Sequence, residues 1–398
     1  MPGMGRGAGG GERVTTHTGP STPRPTDWWT SGLGGLTGRP DGPPLGPPAG
    51  LVPGVRALAS AIARDSARLG REVVVDPLAV MAARARIGGM GRRGAVSCGG
   101  AARLVPAADG WMAVSLARPS DWELVPAWLD LAAPVAEGDW ARVASEVAGR
   151  TGADLSDRSE GLGLPVARVG ERRGGASQGV TVRRVDGGRP PAGLSGLVVA
   201  DLSALWAGPL VGALLSRCGA RVIKVESTTR PDGARTGTPG HFRLLDAGKE
   251  SLVVDLGSAA GHERLHRAIG GADVVVTSAR PRAVAQLGLD PEVAVTEGPT
   301  RVWLSVTGYG TRDGDGGRVA FGDDAAAAGG LVVADAGGPC FCADAVADPV
   351  TGLAATAAVL AALADGGRHL VDASMADVAA GLVDGPVPAA GRGRPVPA

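Results

Sequence analysis

Asp348 stands in Ala347-Asp-Pro-Val-Thr-Gly-Leu353, directly before a proline and an Ala-rich run. A carboxylate there can cap the helix that follows, with Pro349 at the first helical position. It can equally be a nucleophile kept ionised by the helix dipole and backbone N–H groups. Spacing alone favours the ordinary cap. Asp323-Asp324 invites a paired-carboxylate reading, in which one raised pKa makes an acid. Adjacent carboxylates before four alanines, 325–328, are more often a helix start. His262 and His266 lie at i and i+4 and could form one metal-binding face, but no third ligand is evident and a polar helix surface fits them better.

The four cysteines, Cys98, Cys218, Cys340 and Cys342, lack paired CxxC motifs and disulfide-like spacing, which points to a reducing compartment. Cys340-Phe341-Cys342 reads as two small hydrophobes in a strand. A cytoplasmic location is expected. Lys plus Arg equals Asp plus Glu at 40 each, so no net field attracts nucleic acid or an anionic membrane surface. The first 25 residues contain no apolar run and are expected to be a disordered leader, neither signal peptide nor anchor. The longest apolar stretch, residues 351–364, is too short to span a bilayer and predicts a buried helix.

Positioning such residues requires a scaffold, and residues 196–377 provide the clearest one. β-Branched runs at 197–201, 221–226, 251–255, 273–277 and 302–306 alternate with helical stretches at 209–218, 259–269 and 283–295. Continuous apolar strands divided by helices predict an α/β fold, a Rossmann-like doubly wound parallel sheet covered on both faces. Upstream, 101–105, a turn at 107–110, and 111–116 predict a hairpin, followed by helices over 122–131 and 140–148, which make a smaller α+β domain. Residues 170–190, rich in Gly and charge, read as a linker between the two. A faint internal repeat relates 31–76 to 329–372, matching Gly54 to Gly352 and Gly50 to Asp348, so the first copy lacks the carboxylate.

Leu197-Val-Val-Ala-Asp-Leu-Ser-Ala-Leu-Trp-Ala-Gly-Pro209, followed by Gly219-Ala-Arg-Val-Ile-Lys-Val-Glu226, resembles the opening of the class III CoA-transferases. That superfamily includes formyl-CoA and carnitine-type CoA-transferases and the alpha-methylacyl-CoA racemases. Further segments follow in its order: residues 249–256, 272–276, Arg280-Pro281, Leu287-Gly288 and 305–310, then the Asp348 segment. Residues 28–169 resemble the family's later portion, with 26–95 matching the large domain and 96–169 the small one. This implies a rearranged or tandem-trimmed order, with the catalytic unit at 191–385 and a flexible tail at 386–398.

The resemblance implies that Asp348 attacks an acyl-CoA thioester to give an aspartyl anhydride, then an aspartyl-CoA thioester that passes CoA to a carboxylic acid. Coenzyme A is substrate here, no prosthetic group is needed, and an intertwined homodimer is implied. It further implies that Leu205, Trp206 and Ala207 line the pantetheine path, while Ser278, Ala279, Gln286 and Leu287 sit near the adenosine. An Arg common at the Gln286 position is absent; Arg230, Arg280 or Arg282 would have to compensate. Racemases carry a His where Asp323 stands, which argues against racemisation. Gly88-Gly-Met-Gly91 and Gly99-Gly100 are candidates for the family's mobile glycine loop.

Two other classes compete. An NAD-dependent enzyme would use the strand, turn, helix and strand ending at Glu226, but Ala207-Gly-Pro-Leu-Val-Gly212 lacks the GxGxxG spacing. A non-catalytic CoA-binding protein would share the scaffold and leave Asp348 unmodified.

Overall fold

A computed structural model describes residues 26–174, 179–311 and 315–383. The expected leader 1–25 and tail 386–398 lie outside the described residues. In chain order, α1 (Thr26–Thr30), α2 (Leu51–Arg68) and α3 (Pro77–Gly88) precede the hairpin β1 (Ala102–Ala107) and β2 (Gly110–Ser115). Next come α4 (Pro119–Leu129), α5 (Trp140–Ala148), α6 (Gly152–Leu162), β3 (Val166–Arg168) and β4 (Val180–Asp186). Alternating units follow: β5 (Val198–Leu202), α7 (Ala207–Arg217), β6 (Arg221–Ser227), α8 (Ala234–Gly237), α9 (Pro239–Asp246) and β7 (Glu250–Val254). They continue with α10 (Ala259–Gly270), β8 (Val274–Thr277), α11 (Pro281–Gln286), α12 (Pro291–Thr296) and β9 (Val302–Thr307). The last elements are α13 (Gly322–Ala328), β10 (Val332–Asp335), β11 (Gly338–Phe341), α14 (Ala347–Asp365), β12 (Arg368–Ser374) and α15 (Met375–Ala380).

The central sheet has the order β4-β12-β9-β8-β5-β6-β7 and is parallel throughout except for β4, which runs antiparallel to β12 at one edge. Because side chains alternate along a strand, β9 sends Val302, Leu304 and Val306 to one core and Trp303 to the other. The first core holds α2, α3, α7 and α14; the second is covered by α10, α11 and α12. A separate cluster around Trp128 joins β1–β3 to α4, α5 and α6.

Helix α14 is long and apolar enough to cross a membrane by length and composition, but 83% of its most apolar window is buried within the fold. It packs between α7 and α2. Burial of Leu353, Leu360 and Leu363 stabilises this layer by about 2 kcal/mol per side chain. Gly352 permits the approach, since a Cβ there would meet Ala207 O at 2.8 Å and Leu210.

The structure differs from the sequence reading in four places. Part of the expected linker is strand β4, whose mixed exposure as an edge strand hides the alternation that identifies strands. The expected helix over 283–295 is two, because Gly288 takes φ +70° and Asp290 starts α12 by accepting from Glu292 N and Val293 N. Asp348 is not the N-cap of α14; Val346 is, and the helix already includes Ala347. Residues 71–76, matched in the repeat to β12, form no strand, and Asp76 caps α3.

Candidate active site

Four aspartates gather where α13 and α14 begin, and burial divides them into two kinds. Asp324 and Asp344 are fully buried and fully engaged. Asp324 accepts from Ser115 Oγ at 2.7 Å and from Phe321 N. Asp344 takes the Nε and Nη2 of Arg84 at 2.9 and 2.5 Å, a two-point pair that fixes both groups. Asp323 and Asp348 keep partly exposed side chains. The carboxylates within reach of a substrate are therefore these two.

The Asp348 carboxylate sits in the first turn of α14 with Oδ2 against the Cα of Gly322, so that any side chain at Gly322 would overlap it. The main-chain N–H of Ala207, at the start of α7, favours its anion. Even so, the protein crowded around it removes enough water to push the Asp348 carboxyl up to about 7. Arg84 opposes that rise, and Asp323 and Asp344 add to it. Asp323 is pushed up to about 6 by burial and by Asp344, against Arg84, Ala345 N and Ser97. Asp324 reaches about 7 through burial, against the Ser115 hydroxyl. Near neutral pH the accessible pair thus stands between its protonated and ionised forms.

Around this pair the backbone is strained. Among the described residues, the non-glycine residues with positive φ are Asp130, Leu205, Ala343 and Ala345, and the last three border the site. Leu205 (φ +71°) donates its N–H to Asp232, which also pairs with the buried Lys224 Nζ at 2.9 Å. Beside it, Lys249 Nζ bridges Asp201 and Asp246 at 2.8 and 2.7 Å. Burial works against the Asp201 anion, yet Lys249 and Lys224 hold its carboxyl below the usual range.

The residues assigned by resemblance fall in separate places. Trp206 and Ala207 are buried beside Asp348, while Leu205 is exposed. Trp206 stacks edge-on against His241 with centroids 4.6 Å apart, and the Arg84 guanidinium lies 5.7 Å from the Trp206 ring centroid. Burial, with help from Arg84, lowers His241 to about 4, so its imidazole is neutral at pH 7. Ser278 and Gln286 are exposed, and Ser278 Oγ accepts from Ala204 N at 3.0 Å. Ala279 lines a cavity of about 370 Å³ on the opposite sheet face, bounded by Val284, Leu289, Trp303, Leu370 and Asp372. Leu287 caps α11. Arg230, Arg280 and Arg282 are exposed. His262 and His266 each bond a backbone carbonyl, Leu256 O and Leu287 O. Gly88 ends α3 and Gly89 is its left-handed cap, whereas a Cβ on Gly99 would lie 3.5 Å from Arg84 Nη2. Gly99 thus lies beside Arg84, and Gly100 beside Arg93.

Sequence reasoning missed Arg84, Asp344, Ser97, Asp232 and His241. No local pattern marks them, since each acquires meaning only through a partner brought in by the fold.

The family model for CoA-transferase family III matches residues 194–398, just over half of the 398 residues. The chain is 33% identical over 135 residues to succinate--glutarate CoA-transferase of Agrobacterium fabrum, covering 31% of this chain and 33% of that protein. It is 33% identical over 211 residues to a probable fatty acyl-CoA transferase of Mycobacterium tuberculosis, covering 48% and 53%. A crystal structure of a CAIB/BAIF family protein from Brucella suis aligns with a TM-score of 0.44 and 29% identity over 49% of this chain and 55% of that one. The chain thus spans between a third and about half of the length of these two relatives. It belongs to CoA-transferase family III.

Proposed function

We propose that this protein transfers coenzyme A from an acyl-CoA to a carboxylic acid, with Asp348 as the nucleophile. The observation that carries the reading is the partial exposure of Asp348 in a cluster of four aspartates, two of which, Asp344 and Asp324, are buried and tied to Arg84 and Ser115. A carboxylate free of strong partners, facing a backbone N–H and a side-chain-free glycine, has room for a thioester carbonyl.

In this reading an Asp348 oxygen attacks the thioester carbon, the C–S bond breaks, and CoA leaves as thiolate, giving an aspartyl–acyl anhydride. The thiolate then attacks the aspartyl carbonyl and expels the donor acid as carboxylate. The acceptor carboxylate attacks the aspartyl-CoA thioester, and the thiolate returns to the acceptor's acyl carbon, restoring the Asp348 anion. Charge balances at every step and no redox partner enters. CoA runs past Leu205, Trp206 and Ala207 toward Ser278, Ala279, Gln286 and Leu287, with the cavity beside Ala279 available to the adenosine end. Arg230, Arg280 and Arg282 are the cations offered to its phosphates.

This reading takes residues 191–385 as the Rossmann-like catalytic unit, to whose sheet the preceding strand β4 adds an edge, and 26–169 as standing in for the family's later portion. A cytoplasmic intertwined homodimer fits the scheme. The test is incubation with a panel of acyl-CoAs, hydroxylamine trapping and peptide mass spectrometry. A donor-dependent hydroxamate on Asp348 is expected, and an unmodified Asp348 in protein that binds CoA would overturn the reading.

A second reading, α-proton transfer on an acyl-CoA, draws on the Asp323–Asp348 pair, since two carboxyls with raised pKa values can serve as acid and base. Exchange of the α-hydrogen of an acyl-CoA with deuterium from solvent, without CoA transfer, would favour it.

A further inference from the structure

The turn that delivers Asp348 is held in place from outside the family-matched half of the chain. Ala343 and Ala345 both adopt left-handed φ, at 56° and 43°, on either side of Asp344. Residues other than Gly, Asn and Asp rarely rest there, so surrounding contacts must enforce the shape. Ala343 N donates to Thr37 Oγ1 at 2.9 Å, and Ala343 O receives Cys98 Sγ–H at 3.4 Å. Asp344 is gripped by Arg84. Ala345 N donates to Asp323 Oδ1 at 3.1 Å, and Asp348 N donates to Ala345 O at 2.9 Å. Thr37, Arg84 and Cys98 all precede residue 194, where the family match begins.

We propose that Arg84, with Thr37 and Cys98, is a positioning device for Asp348: the front segment clamps the strained 343–345 turn and brings the positive charge that faces the accessible carboxylates. This rests on the reading of Asp348 as nucleophile. Arg84 does two separable things. Its planar fork fixes Asp344, and hence the turn, which a lysine cannot reproduce. Its charge favours the Asp348 anion against Asp323 and Asp344, the other ionisable groups facing that carboxylate.

The two roles are separated by following Asp348 acylation against pH, with hydroxylamine trapping, in wild type, Arg84→Met, Arg84→Lys and Thr37→Val. Thermal melting and CoA binding report folding. In Arg84→Met the pH midpoint of labelling is expected to move up by about one unit or more, with activity partly recovered at high pH. In Arg84→Lys the midpoint stays near wild type while the plateau rate falls about tenfold. In Thr37→Val the plateau falls with the midpoint unmoved. A folded Arg84→Met protein with wild-type midpoint and plateau would overturn the proposal. Should that variant not fold, an undiminished plateau in Arg84→Lys and Thr37→Val overturns it instead. If wild-type Asp348 never acylates, the parent reading fails. The carboxyl titration of Asp348, followed by carbon NMR as the signal missing from Asp348→Asn, then decides the role of Arg84 by whether Arg84→Lys and Arg84→Met shift it.

Discussion

The Cα of Gly322 lies against Oδ2 of Asp348, and a Cβ added there would overlap that oxygen and approach Ala345 O to 2.5 Å. The clash involves backbone on one side and the proposed nucleophile on the other, so neither can yield cheaply. Gly322→Ala is therefore expected to lower Asp348 labelling by at least about tenfold while costing about 1–3 kcal/mol of stability. Chemical denaturation and trapping on the same preparation check both numbers.

Asp348→Asn should abolish transfer, by about a thousandfold or more, and leave CoA binding intact. The same change should raise stability at pH 8. A carboxyl whose folded pKa is raised to about 7 binds its proton more tightly in the native state, so stability falls as pH climbs from about 4 to 7. Removing the charge removes that loss. Melting temperature of the variant minus wild type should be positive at pH 8 and close to zero at pH 4.

Acylation of Asp348 requires the anion, so its rate should rise with pH through a midpoint near 7 and level off above 8. A flat profile between pH 5 and 8 in single-turnover trapping would contradict the ionisation described for this site.

His241 has a pKa lowered to about 4 by burial and Arg84, so it takes up its proton in the native state later than in the unfolded chain. Stability is lost as pH falls from 6.5 toward 4. His241→Phe, of similar shape, should fold and lose part of that acid sensitivity, as read from urea midpoints at pH 7 and pH 4.5.

Asp232→Asn removes the charged partner of buried Lys224 and weakens the bond to Leu205 N. Breaking a buried pair on one side costs about 3 kcal/mol. If Leu205 borders the CoA path, KM for acyl-CoA should rise in steady-state assays more than kcat falls.

Much of the scaffold could be read in advance because its strands are largely buried on both faces: the runs at 197–201, 221–226 and 302–306 are rich in β-branched and other apolar residues, and β5, β6 and β9 occupy them. Strand β4 escaped notice because edge position lets Arg183 and Arg184 face solvent. The helix start at Asp323-Asp324 was legible. Arg84 was not: an arginine in an Ala-rich helix has no distinguishing neighbours, and its partner is 260 residues away. Nor does any sequence rule announce that Ala343 and Ala345 will be left-handed, since alanine disfavours that conformation.

The separation between Arg84 and Asp344 also bears on how the folded chain comes into being. Contacts across 260 residues close a very long loop, and such contacts form late and slowly. During synthesis the amino-terminal part leaves the ribosome before α14, against which both α2 and α3 pack, has been made. The aspartate cluster is complete only when these two distant parts of the polypeptide meet.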